Sequence, residues 1–315
     1  MPTRTERVAT AVNRPLTRLN LLAWLIPSAL LLLAGLVLGA IYLRTLPSVQ
    51  LFLADYPGHS ELPESAPAGL PAWLAWQHFL NFFFLVLIIR SGWQVRTTTR
   101  PIAYWSRRTP ERFRRTNQAP SRISVTLWFH LALDLLWIIN GGLFVILLAV
   151  TGQWMRIVPT SWDIVPNALS AGLQYLSLDW PIENGWNNYN ALQVLAYFAT
   201  VFIAAPLAFL SGIRMSPVWP KGAARLNALY PITVARAIHL PVMFYFVIFV
   251  IVHVTLVFAT GALRNLNHMY SGTDEVSWMG FWVFAVSLVV TIGALVGARP
   301  MLLRWFASLT GSVTR

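Results

Sequence analysis

The sequence predicts an all-α integral membrane protein, a bundle of six transmembrane helices, and three observations carry that reading. Hydrophobic residues make up 57% of the 315 positions and charged residues 11%, a balance that the surface of a water-soluble domain does not sustain. Six apolar stretches of roughly 20 residues or more match the hydrocarbon thickness of a bilayer. The basic residues crowd into alternate connecting segments, the pattern that sets orientation in membrane chains.

The first 20 residues are basic and run into an apolar stretch over 20–43 without a small-residue cleavage site, so an uncleaved first span is expected rather than a signal peptide. Further spans are expected over 72–93, 124–151, 191–212, 237–260 and 278–298, with Pro206 interrupting the fourth. Segments 1–20, 94–123, 213–236 and 299–315 together hold 19 Lys and Arg, whereas 45–71, 152–189 and 261–277 hold 2 against 8 acidic residues. This split assigns both termini to the cytoplasmic side. The +12 net charge therefore reads as an orientation signal. Loop 94–123, with Arg107, Arg108, Arg112, Arg114 and Arg115, reads as a topology anchor near anionic membrane lipid. It lacks an order of stacking aromatics, so no nucleic acid is expected as a partner. In 152–189 an apolar, small-residue run from Val165 to Leu178, between Trp162 and Trp180, suits a short helix in the membrane interface. No internal repeat is evident. The chain divides into 1–71 (basic tail, first span and outer loop), 72–260 (a four-helix core) and 261–315 (outer loop, sixth span and cytoplasmic tail).

Absence of cysteine excludes disulfides, thiolate zinc sites, iron–sulfur clusters and covalently attached haem, leaving six histidines as the main metal-binding candidates. His59 and His268 fall in outer loops, and a loop histidine such as His268 is expected to be solvated, with a quinone or partner surface as its alternative. His78, His130, His239 and His253 fall inside spans, where ionisable groups are costly and usually functional. Fourteen residues at ~100° each leave His239 and His253 about 40° apart on one face and ~21 Å apart along the axis. The helix directions set by the charge split then put His78 with His253 in the outer half and His130 with His239 in the inner half. Two histidines at one depth on different helices suit a bis-histidine b-type haem. The bland reading of each histidine is a hydrogen bond across helices, and the pairing by depth favours ligation over it. Gly92 and Gly141 lie 14 and 11 residues after His78 and His130, back near the histidine's own face and at the depth of the other haem. There a missing side chain makes room, although glycine also serves simple helix packing.

At these residues the sequence resembles the membrane cytochrome b subunits of bacterial nickel hydrogenases, formate dehydrogenases and thiosulfate reductases. The resemblance covers about 72–260. It rests on Trp76-Gln77-His78-Phe79-Leu80-Asn81, Ile89-Arg90-Ser91-Gly92, His130 and the His239 to His253 pair. It is closest to the thiosulfate-reductase-type branch, through Pro159-Thr160-Ser161-Trp162 and Arg264-Asn265-Leu266-Asn267-His268. The resemblance implies two haems b as cofactors and electron exchange between a redox partner and the quinone pool. The added helix at each end of the core is a departure, and the leading one inverts the core relative to the hydrogenase and formate dehydrogenase subunits. The face on which a partner docks therefore stays open.

The expected function is transmembrane electron transfer between a catalytic oxidoreductase subunit or electron carrier, such as a molybdenum-dependent enzyme, and membrane quinone. The chain would then be a subunit rather than a stand-alone enzyme. Arg236 and Arg264 are candidate haem-propionate partners at the inner and outer haem, with interface anchoring as the equal alternative. Asp134, one turn after His130, is a candidate for quinone-linked proton transfer, with pairing to a helix Arg or Trp as its alternative. Two rival readings remain open: a haem-containing membrane reductase acting without quinone, and a haem-free helical transporter. The resemblance implies a bacterial plasma membrane as the location, and the ratio of 22 Arg to 1 Lys is a compositional hint of a GC-rich bacterial genome.

Overall fold

A backbone in hydrocarbon has no water to bond to, so long apolar stretches must satisfy their own N–H and C=O groups as helix. The computed structural model describes residues 18–108, 122–180 and 184–314, and it is an all-α helical bundle with six helices long and apolar enough to cross a membrane. In chain order the first elements are α1 (Arg18–Leu43), α2 (Pro47–Asp55), α3 (Ala72–Thr97), β1 (Tyr104–Arg107), β2 (Arg122–Ser124) and α4 (Val125–Thr151). There follow α5 (Ile164–Leu176), α6 (Ala191–Met215), α7 (Ala224–Leu229), α8 (Ile232–Ala259), α9 (Ala262–Leu266), α10 (Met279–Gly297), α11 (Pro300–Thr310) and β3 (Gly311–Thr314). The spans are α1, α3, α4, α6, α8 and α10.

Local chemistry sets several boundaries. Ser124 caps α4 by accepting from the Leu127 amide at 3.1 Å, and Gly152, at φ 75°, ends the helix in the left-handed region. Asn190 and Gln193 form a reciprocal capping box at the start of α6. Pro206 does not break α6. A π-helical stretch over Ala199–Ala204 precedes it and absorbs the missing donor, so the span runs on to Met215. Helices α3, α6 and α8 also extend beyond the expected apolar limits, to Thr97, to Met215 and back to Ile232, because a helix continues through polar residues once it leaves the hydrocarbon.

Helix α3 packs along α4, and α6 packs along α8. Backbone contact between these two antiparallel pairs is slight among the described residues, so side chains span the gap between them. Helix α10 lies beside α3, whereas α1 meets mainly α5 and leaves most of its apolar surface outward. At one end of the bundle, the sheet end, β1 pairs antiparallel with both β2 and β3 in the order β2-β1-β3. Loop 94–123 thus contributes strands, although Arg112, Arg114 and Arg115 lie outside the described residues. Ala103, Val125, Ala298, Leu303 and Ala307 form a small core there under Trp105 and Trp128. A side chain at Gly311 would collide with Trp105 and with the Ser106 carbonyl, so β3 can lie this close only with glycine there.

The opposite end, the cap end, is built from α2, α5, α9 and their loops around buried polar residues. The run expected over Val165–Leu178 forms α5, with Asn167 reaching across to accept from the Gly58 amide at 2.9 Å. Arg156 is 1% exposed and donates to the carbonyls of Gly185, Trp186 and Asn187. Arg44 ties α1 to this end through Ser177 and Asp179, at 2.7 and 2.6 Å.

Candidate functional site

The four intramembrane histidines meet as two pairs in the gap between the α3/α4 and α6/α8 helix pairs. Near the cap end, His78 of α3 and His253 of α8 have ring centres 6.2 Å apart with planes inclined by 52°. Near the sheet end, His130 of α4 and His239 of α8 have ring centres 6.4 Å apart, inclined by 83°. These are the partners that helix direction and depth predict. Two imidazoles that hold one metal from opposite sides, each with a metal–nitrogen bond of about 2.0–2.1 Å, have ring centres roughly 6.3 Å apart. Both observed separations are of that size, and all four histidines are only partly buried, so each keeps surface that a group lying in the gap would cover.

The two pairs differ in what surrounds them. Aromatic rings enclose the cap-end pair: Phe249 stacks on His253 at 5.6 Å, Tyr197 meets it edge-on at 6.1 Å, and Tyr270 meets His78 edge-on at 5.6 Å. The Nδ1 atom of His78 is buried and has no hydrogen-bond partner. At the sheet end both histidines rest on serines. Ser91 Oγ lies 2.9 Å from His130 Nδ1, and Ser211 Oγ lies 2.9 Å from His239 Nδ1.

A glycine adjoins each serine. A β-carbon at Gly92 would lie 3.0 Å from His130 Cε1, so the ring sits this close to α3 because no side chain stands there. A β-carbon at Gly212 would lie 3.6 Å from His239 Cε1. Gly141 has nothing within 4 Å of where its side chain would project.

Among the described residues Asp134 pairs with neither an arginine nor a tryptophan but stands by His130, with Oδ2 3.6 Å from Nε2, and it is partly buried. Arg236 is exposed on the first turn of α8. Arg264 is committed to Asp274, donating through Nε at 2.8 Å and Nη2 at 3.1 Å. His268 departs from the expected solvated loop histidine. It is 4% exposed, packs on Trp186 and donates through Nε2 to Asp274 at 2.7 Å, because the chain around it folds into a π-helical turn, Asn267–Ser271. With Asn184 as a further donor, Asp274 collects four hydrogen bonds, two from Arg264 and one each from Asn184 and His268, that hold its carboxyl below the usual carboxylate range.

A planar macrocycle held by two axial imidazoles needs a gap between helices, paired histidines at single-metal spacing and close passage past small residues. The chain offers each of these. Among the described residues no three His, Cys, Asp or Glu side chains cluster as a metal site, so each histidine pair would supply two ligands.

The sequence singles out the four histidines but gives Ser91 no role beyond its place in the Ile89–Gly92 run, and it does not single out Ser211, Gly212 or Tyr270. A signal for three of these exists, since a Ser-Gly dipeptide stands at the end of both the second and the fourth span. No model of a known protein family, no curated protein and no solved structure matches this chain.

Proposed function

We propose that the protein is a di-haem cytochrome b that carries electrons across a bacterial plasma membrane between a redox partner subunit and quinone. The observation that carries this reading is the pair of ring separations, 6.2 and 6.4 Å, each fitting one bis-histidine metal centre. A haem bound between two imidazoles supplies reversible one-electron chemistry with no open coordination position.

The residues divide the work. His78 and His253 would hold the cap-end group, and His130 and His239 the sheet-end group. His239 and His253 lie on one helix, so α8 fixes the spacing of the two centres. Phe249, Tyr197 and Tyr270 exclude water from the cap-end pair. At the sheet end Asp134 can hold or release a proton at Oδ2 beside the histidine pair, which is what oxidation of a quinol requires. Arg236, exposed at the same end, is free to neutralise a propionate there. Arg264 already neutralises Asp274, which favours a structural role for it over propionate binding. With both termini cytoplasmic, the sheet end faces the cytoplasm.

Membranes containing the protein should show a b-type haem signal that develops on addition of quinol. Haem that dithionite reduces but quinol does not would instead favour a reductase acting without quinone. The 3.6 Å approach of Asp134 to His130 favours a second reading, a haem-free proton relay in a transporter. That reading predicts no haem and proton uptake that Asp134→Asn abolishes.

A further inference from the structure

Resting on the di-haem reading, we infer that the Ser91-Gly92 and Ser211-Gly212 dipeptides are matched seats that lock the sheet-end histidines as Nδ1–H tautomers and make that centre the lower-potential one of the two. Each serine has a single hydroxyl proton, and in both cases a helix carbonyl takes it. Ser91 Oγ donates to the Ile88 carbonyl at 3.0 Å, and Ser211 Oγ donates to the Leu207 carbonyl at 2.6 Å. With the hydroxyl protons on the carbonyls, the 2.9 Å contacts to His130 Nδ1 and His239 Nδ1 are assigned as N–H donations from the imidazoles, and at His130 this leaves Nε2 unprotonated although Asp134 Oδ2 stands 3.6 Å from it. Both serines are 0% exposed, so no water competes for the contact.

The consequence is electronic as well as positional. Fixing the proton on Nδ1 leaves the lone pair on Nε2, the atom a metal needs. Sharing that proton with an acceptor pushes electron density across the ring and raises ligand basicity. A more basic ligand favours the more positive, oxidised metal and so lowers the potential. The adjoining Gly92 completes the first seat, since a β-carbon there would lie 3.0 Å from His130 Cε1, whereas at Gly212 it would make an ordinary 3.6 Å contact with His239 Cε1. The cap-end pair lacks this arrangement at His78, whose buried Nδ1 meets no acceptor. The same seat therefore occurs on two different helix pairs, α3 with α4 and α6 with α8, and serves only one of the two centres.

Potentiometry of the purified, haem-loaded protein, followed by visible spectroscopy, tests this. Two b-type components of different potential are expected. In His78→Ala, which removes the cap-end centre, the survivor should be the lower-potential one. Ser91→Ala combined with Ser211→Ala should shift that component alone to more positive potential, and Ser211→Thr, which retains a hydroxyl, should shift it less than Ser211→Ala does alone. Survival of the higher-potential component in His78→Ala would overturn the inference, as would serine variants that leave both potentials unchanged. The His78→Ala result stands even if the double serine variant does not fold. A wild-type protein without b-type haem would overturn the proposed function itself, a different outcome from haem at unaltered potentials.

Discussion

Gly92 and Gly141 distinguish packing from ligand accommodation at the residue scale. Gly92→Ala places a β-carbon 3.0 Å from His130, and relief of that contact should cost about 1–3 kcal/mol and perturb the spectrum of the sheet-end centre only. Gly141→Ala meets open space, so stability without haem should change by less than about 0.5 kcal/mol. In the di-haem reading, the same substitution should lower occupancy of the cap-end centre, because Gly141 lies at its depth. A fall in thermal stability of the haem-free protein would show instead that Gly141 serves helix packing. Asp134 is a second residue-scale case. Its sequence context suggested an arginine or tryptophan partner, but in the structure the neighbour is the histidine one turn earlier on its own helix. If Asp134 handles the proton released at the sheet end, Asp134→Asn should slow quinol-driven haem reduction while dithionite still reduces both centres fully.

At the scale of elements, buried polar contacts hold the cap together with a small apolar cluster of Ile164, Ala168, Ala191 and Val194, and the polar ones make it sensitive to single substitutions. Replacing Arg156 by Met removes the donors to three carbonyls and should cost on the order of 3 kcal/mol, visible as a lowered Tm in detergent. The Asp274 cluster should respond to acid. Its carboxyl is held below the ordinary range, so its contribution to stability is complete above the unfolded value of about 3.9 and is lost as pH falls from there through the depressed folded value. Asp274→Asn should therefore lower Tm at neutral pH and converge on wild type in strong acid; an equal gap at every pH would contradict this. The same cap shows where sequence reading runs out. Spans are legible because their composition must match lipid whatever they pack against. His268 was expected in solvent because nothing local marks it as buried. Its environment depends on Asp274, Asn184 and Trp186, brought together by the π-helical turn over Asn267–Ser271 and by a loop from elsewhere in the chain. The sheet at the opposite end was equally hidden, since β1 and β3 are separated by some 200 residues and each has only four.

For the whole molecule, the charge asymmetry carried more information than its magnitude suggested. It gave each helix a direction, those directions gave each histidine a depth, and the depths named the partners that the structure brings within 6.2 and 6.4 Å. The Ser-Gly seats were written in the sequence at corresponding ends of two spans, but their meaning needs the register of α3 against α4 and of α6 against α8, which composition does not contain. The central claim is that these pairs hold two b-type haems. The dithionite-reduced minus oxidised spectrum of the purified protein, with haem counted per chain, tests it most directly. A b-type signal of two haems per chain is expected, falling to one in His78→Ala. Folded protein that gives no such signal when purified from haem-replete cells would contradict it.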